Sequence, residues 1–171
     1  FNRRWKRKEV TSGPSPFGKV DKVQRNPPAA SENLVEPAGP IDPEVPYIFV
    51  KSVDDKPIAL LANYSLHYVG GQGGLHVSAD YFGMFADRVS RLLDVADIDP
   101  PFVGMMSNGT SGNINNINFR VQGESKPPYA QMKFVADTVA QNVFESMKDL
   151  QWNDRVTLDA VAQDLQLGVR K

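Results

Sequence analysis

The stretch from Phe102 to Asn116 constrains this chain more than any other. An apolar run of strand length, Phe102-Val103-Gly104-Met105-Met106, stops in a loop built almost wholly from Gly, Ser, Thr and Asn. Enzymes with α/β architecture often present polar groups in this way, at the carboxyl end of a strand. Gly109 and Gly112 give the loop access to positive φ, so its amides can turn toward an anion. Ser111 stands between these two flexible points. The same composition also fits a long, Asn-rich surface turn.

Hydrophobic periodicity orders the rest of the chain. Residues 47–53 and 58–66 are two β-rich runs separated by Asp54-Asp55-Lys56-Pro57, which predicts an antiparallel hairpin. The second run is apolar at nearly every position to Ala62, as expected of a strand covered on both faces. After Gly70-Gly71-Gln72-Gly73-Gly74, Phe82, Phe85, Val89, Leu92 and Leu93 recur at helical spacing, which predicts a helix over 79–95. Residues 102–106 form a third strand. Pro127-Pro128 precedes a second helix over 129–150, with Met132, Val135, Val139, Val143 and Met147 on one stripe. In residues 155–169, Val156, Leu158 and Ala160 alternate, as do Leu165, Leu167 and Val169. That pattern predicts one interrupted strand or two. The fold class expected is α/β or α+β, with a mixed β-sheet and two long helices.

Residues 1–46 read differently from 47–171. The first ten hold five basic groups against one Glu, the composition of a solvated basic arm. Most of the thirteen prolines fall between 11 and 46, which reads as an extended, irregular segment. The expected organisation is therefore an arm and Pro-rich segment over 1–46, followed by an α/β core over 47–171. The net charge of −1 gives no electrostatic basis for general binding to nucleic acid or a membrane surface. There is no cysteine, hence no disulfide or thiol chemistry. No run approaches eighteen apolar residues, so no transmembrane segment is expected. The chain starts at Phe1 without a signal-like apolar stretch, so it is expected to be a processed product or a piece of a longer protein.

Several positions carry candidate chemistry. His67 closes the second strand beside the Gly-rich turn, where a neutral imidazole can bind a metal or move protons. A packed or solvated histidine fits equally, and no neighbouring Cys, His or Glu supplies a local ligand set. His76 reads as a loop residue. Asp80 opens the first long helix, where a carboxylate complements the helix dipole. A helix start of this kind also faces the crevice at the strand ends. Ser111 is a nucleophile or a polar partner, but it lacks the G-x-S-x-G elbow. Asn113, Asn115 and Asn116 are amide donors or turn formers. The loop has no Lys in P-loop spacing, which excludes that phosphate-binding motif.

The order of these pieces resembles the neutral/alkaline non-lysosomal ceramidase family, in its divergent bacterial branch. The resemblance rests on Asn2-Arg3-Arg4, on Ile41-Asp42-Pro43-Glu44-Val45, and on the hairpin ending in Asn63-Tyr64-Ser65-Leu66-His67. It continues with Ser78-Ala79-Asp80-Tyr81-Phe82-Gly83 and with Ser107-Asn108-Gly109-Thr110-Ser111-Gly112-Asn113. It covers most of this chain but only the middle of a family member. It implies a zinc-dependent amidohydrolase that cleaves the amide of an N-acylsphingosine or similar N-acyl lipid. It makes His67 a zinc ligand, Arg3 an active-site arginine and Ser111 the essential serine. Gly109, Asn113 and Asp80 then lie along the substrate. Gly112 stands where the family has proline, and the loop is one residue shorter. The family's other zinc ligands fall outside residues 1–171. The resemblance thus implies an incomplete zinc site here, with the remainder of the parent chain as partner and no catalysis by this piece alone. It also implies a secreted or periplasmic setting. A non-catalytic relative that only binds, and a metal-independent serine hydrolase using Ser111 and His67, are the alternatives. Both enzyme readings require the imidazole and the serine loop to converge on one crevice.

Overall fold

The computed structural model describes residues 1–9, 18, 20 and 22–169. Its strands form two three-stranded sheets, and two long helices pack on the second of them. In the first sheet, β1 (Arg4–Arg7) lies between β2 (Val23–Arg25) and β3 (Leu34–Pro37), antiparallel to both. The expected solvated basic arm is therefore the central strand of a sheet. The reason lies in its alternation. Trp5 and Arg7 point inward and are 3% exposed, while Arg4 and Lys6 face out. Trp5 supplies the large apolar surface that a run of charges hides from a compositional reading. Its indole N–H donates to the Asn2 carbonyl, and the Arg120 guanidinium lies over its ring. Residues 10–17, 19 and 21, all but the first in the predicted Pro-rich segment, lie outside the described residues.

The second sheet is mixed. The hairpin pairs β4 (Tyr47–Lys51) with β5 (Pro57–Tyr64) in antiparallel fashion, around a turn in which Asp55 takes positive φ. The third strand, β6 (Val103–Asn108), runs parallel to β5. A parallel neighbour needs a crossover, and helix α1 (Asp80–Leu92) supplies it. Helix α2 (Ala130–Ser146) follows β6, packs against α1 and ends in a 3₁₀ turn at Met147–Asp149. This is an α+β fold with a mixed sheet and two long helices.

The core lies between this sheet and the helices. Leu60 and Ala62 face Tyr81, Phe85 and Val89 of α1 and Met132, Val135, Val139 and Val143 of α2. Burying a side chain of Leu, Phe or Met contributes roughly 1.5–3 kcal/mol, so these residues anchor the fold. Gly104 lets α1 come close, because a Cβ there would lie 3.0 Å from the Ala86 backbone.

Two expectations about coverage fail. The predicted double coverage of β5 is absent. Leu61 is 40% exposed, and with Ile48, Val50, Val103 and Met105 it forms an open apolar face opposite the helices. A continuous apolar run reads as doubly buried, but only its alternate members meet the helices. The predicted strand over 155–169 is also absent. These residues have no regular structure, and Leu158, Val161, Leu167 and Val169 are each more than four-fifths exposed. Alternation makes a strand only where an edge pairs with it. Among the described residues, no strand pairs with this segment.

Candidate functional site

Parallel pairing decides where the candidate residues meet. In register, Tyr64 of β5 pairs with Asn108 of β6. Both strands therefore release their next residues at one edge of the sheet. From β5 emerge Ser65, Leu66 and His67. From β6 emerges the loop Gly109 to Asn113. In an antiparallel pair these two segments would lie at opposite edges.

The loop is moored to β5. The Gly109 N–H donates to the Tyr64 carbonyl at 3.0 Å, and the Thr110 N–H donates to Ser65 Oγ at 3.2 Å. Ser65 is buried, and its hydroxyl also lies 3.3 Å from a carboxylate oxygen of Asp42. The expected positive φ is not what the glycines provide, because neither Gly109 nor Gly112 adopts it. Gly109 is needed for space: a Cβ there would sit 2.6 Å from Ser65 Oγ and 2.7 Å from Asn63 Oδ1. At Gly112 nothing lies within 4 Å. Within the loop, Ser111 Oγ accepts a hydrogen bond from Asn108 Nδ2 at 3.1 Å.

The amino-terminal segment closes the other side of the loop. Arg3 is 5% exposed. Its backbone N–H donates to the Asn113 carbonyl at 2.7 Å, and its Nε donates to the Gly112 carbonyl at 3.0 Å. Asn2 bridges to Ile114, and the Asn115 N–H donates to the Phe1 carbonyl. The contact of Arg3 with the Ser111 loop spans 109 residues of sequence.

His67 is half-buried and stacks on Tyr68 with ring centroids 4.6 Å apart. Burial lowers its pKa, and the charges of Arg3 and Arg25 push in the same direction. Asp80 opposes them. That shift favours the neutral imidazole, the form that ligates metals or accepts protons. Arg3, in turn, is lowered by burial and by the charges of Arg25 and Arg4. The charges of Arg3, Arg25 and Asp80 thus all act on His67.

Asp80 begins α1 with φ +54, a conformation that short polar side chains tolerate best. Its carboxylate accepts from the N–H groups of Val69, Gly70 and Tyr81, at 3.0, 2.8 and 2.7 Å. Rather than simply capping the helix, it ties the turn that follows His67 to the helix start. Tyr81 continues the clamp. Its buried hydroxyl donates to the Leu66 carbonyl at 3.0 Å, and burial raises the phenol well above its usual pKa. His76 is a loop residue, and its Nδ1 lies 2.8 Å from the Tyr129 hydroxyl.

The structure thus brings Arg3, His67, Asp80, Gly109, Ser111 and Asn113 to one edge. Sequence reasoning did not single out Ser65, Tyr81, Asp42 or Arg25, the residues that fasten or charge this edge. Ser65 and Asp42 stood within the quoted segments, but nothing local marks a serine as the mooring of a loop 45 residues away. A groove of about 680 Å³ lies elsewhere, lined by the β4–β5 turn and Ile98 to Pro101.

Among the described residues, no three His, Cys, Asp or Glu side chains cluster in metal-binding geometry. Asp80, the carboxylate acting on His67, already accepts three backbone hydrogen bonds. A catalytic zinc takes about three protein ligands and a water. His67 offers one nitrogen donor toward such a set. No family model, curated protein or solved structure matches the chain.

Proposed function

We propose that the edge formed by His67, Arg3 and the Ser111 loop is part of an amide-hydrolysing site resembling that of neutral ceramidases, acting on an N-acyl lipid. One observation carries this reading. Arg3, His67 and Ser111 lie far apart in sequence, yet His67 and the Ser111 loop leave the same edge of the sheet and Arg3 bonds to that loop. Arg3 is fixed through Nε to Gly112 and presents a preorganised positive charge beside Ser111, suited to an amide oxygen that gains negative charge. Ser111 orients the scissile amide, since its hydroxyl is held by Asn108 and no imidazole hydrogen-bonds to it among the described residues. Gly109 and Asn113 shape the loop against the substrate, and Asp80 holds the turn behind His67. In this reading His67 is a zinc ligand, and the ligands that complete the site come from outside these 171 residues. The 171-residue chain alone is then inactive.

The test is hydrolysis of an N-acylsphingosine by the full-length protein that contains this chain, before and after chelation and with S111A, R3A and H67A. Activity lost on chelation and in H67A supports the reading. Activity that survives chelation but not S111A replaces it with a serine hydrolase. No hydrolysis of any N-acyl lipid replaces it with a binding domain.

A further inference from the structure

The positive charge at this edge exceeds what one developing oxyanion requires. Arg3 is buried, yet among the described residues no carboxylate pairs with it. The next strand adds charge of the same sign. Arg25 stands directly opposite Arg4 in the β1–β2 register, a like-charge pair that destabilises a sheet. The backbone beside Arg25 is joined to Arg3, since the N–H of the adjoining Asn26 donates to the Arg3 carbonyl at 2.7 Å. Asn115 Nδ2 then reaches Asn26 Oδ1 at 3.3 Å and ties this corner to the end of the serine loop. Among the described residues, neither Asp80 nor Asp42 forms an ion pair with Arg3 or Arg25. Asp80 faces backbone amides, and Asp42 accepts from the Ser65 hydroxyl and the Glu44 N–H.

We propose that Arg25, with Arg3, seats an oxyanion group of the molecule this site takes. The preferred substrate is then an N-acyl compound bearing a carboxylate or phosphate, ahead of an uncharged lipid amide. Guanidinium groups match both anions in charge and in fork geometry. Arg25 is the specificity-determining member, because it is exposed and free to meet a ligand while Arg3 is committed through Nε to Gly112. The substrate part of this inference rests on the proposed hydrolytic function; the anion seat does not.

The seat is tested on this chain by titrating it with inorganic phosphate and, separately, with acetate at low ionic strength. Binding is followed through the Arg side-chain N–H resonances. The expected result is saturable binding that R25Q weakens at least fivefold, R25K largely restores, and K148Q leaves unchanged. Lys148 is an exposed cation remote in sequence, so K148Q removes the same net charge. The anion that binds more tightly identifies the acid group. No saturable binding, or equal weakening by R25Q and K148Q, overturns the seat. The substrate part is tested in the full-length protein, where an acid-bearing N-acyl compound should show a KM about tenfold below that of its uncharged counterpart, a difference that R25Q abolishes. Equal KM values overturn it. Anion binding without any hydrolysis upholds the seat and removes the hydrolase reading instead.

Discussion

Ser65 Oγ receives the Thr110 N–H at 3.2 Å and stands where a Cβ on Gly109 would come within 2.6 Å of it. The end of one strand and the loop after its parallel neighbour are fitted to each other without room for a methyl group. Gly109→Ala is therefore expected to destabilise the protein by about 1–3 kcal/mol, the usual cost of overpacking. Gly112→Ala, in open space, is expected to cost less than about 1 kcal/mol, as an ordinary exposed position does. Thermal unfolding of the two variants side by side measures the difference.

Asp80 holds three backbone N–H groups, two of them in the turn after His67. Asp80→Ala leaves these donors without their charged acceptor and is expected to cost about 2 kcal/mol or more. Asp80→Asn keeps one acceptor oxygen and tolerance of positive φ, so its loss is smaller. Hydrogen exchange at Val69 and Gly70 should accelerate in both variants, and most in Asp80→Ala. Unchanged protection there would show that the carboxylate does not hold the turn.

His67 links the site to pH. Burial, followed by Arg3 and Arg25, lowers its folded pKa below the ordinary value of 6.5. The folded state therefore binds a proton less readily than the unfolded chain. The resulting stability is present above pH 6.5 and is lost as pH falls through the folded value. An NMR titration should place the His67 midpoint below 6.5, and Arg25→Gln should move it upward. A midpoint unaffected by Arg25→Gln would remove Arg25 from this neighbourhood.

Leu60 and Leu61 are adjacent on β5 and face opposite ways. Leu60 is completely buried and Leu61 is 40% exposed. Leu60→Ala is expected to cost about 2–5 kcal/mol, in the range of buried leucine truncations. Leu61→Ala should cost clearly less, because 40% of Leu61 is already open to solvent. Urea unfolding midpoints of the two variants decide this, and equal losses would mean that the outer face is covered in solution.

Truncation after Asp154 removes the alternating segment that has no strand partner among the described residues. Its apolar side chains are mostly exposed, so the unfolding temperature should stay within a degree or two of the full chain. A large drop would mean that residues 155–169 pack on the fold.

Much of the architecture was legible from the chain because it is written in neighbouring residues. Phe85 and Val89, or Met132, Val135 and Val139, show their helical stripe within a few positions of one another. The hairpin announces itself through Asp54-Asp55-Lys56-Pro57. His67 and the Ser111 loop could likewise be picked out as segments that follow strands. Other features depend on partners that no local pattern names. Trp5 and Arg7 look like part of a charged tail until β2 and β3 flank them. Residues 155–169 look like a strand but meet no edge. Gly109 looks like a hinge and is instead a gap kept for Ser65.

The order of apolar and polar residues by itself determined the hairpin, both helices and the strand that ends in the serine loop, because backbone geometry repeats over two to four residues. Only the tertiary structure decided that β5 and β6 run parallel, that Arg3 reaches Gly112 across 109 positions, and that one face of the sheet stays bare. Those outcomes depend on which distant surfaces meet. Hydrophobic burial drives such meetings, but it is non-directional and does not name the partner in the chain.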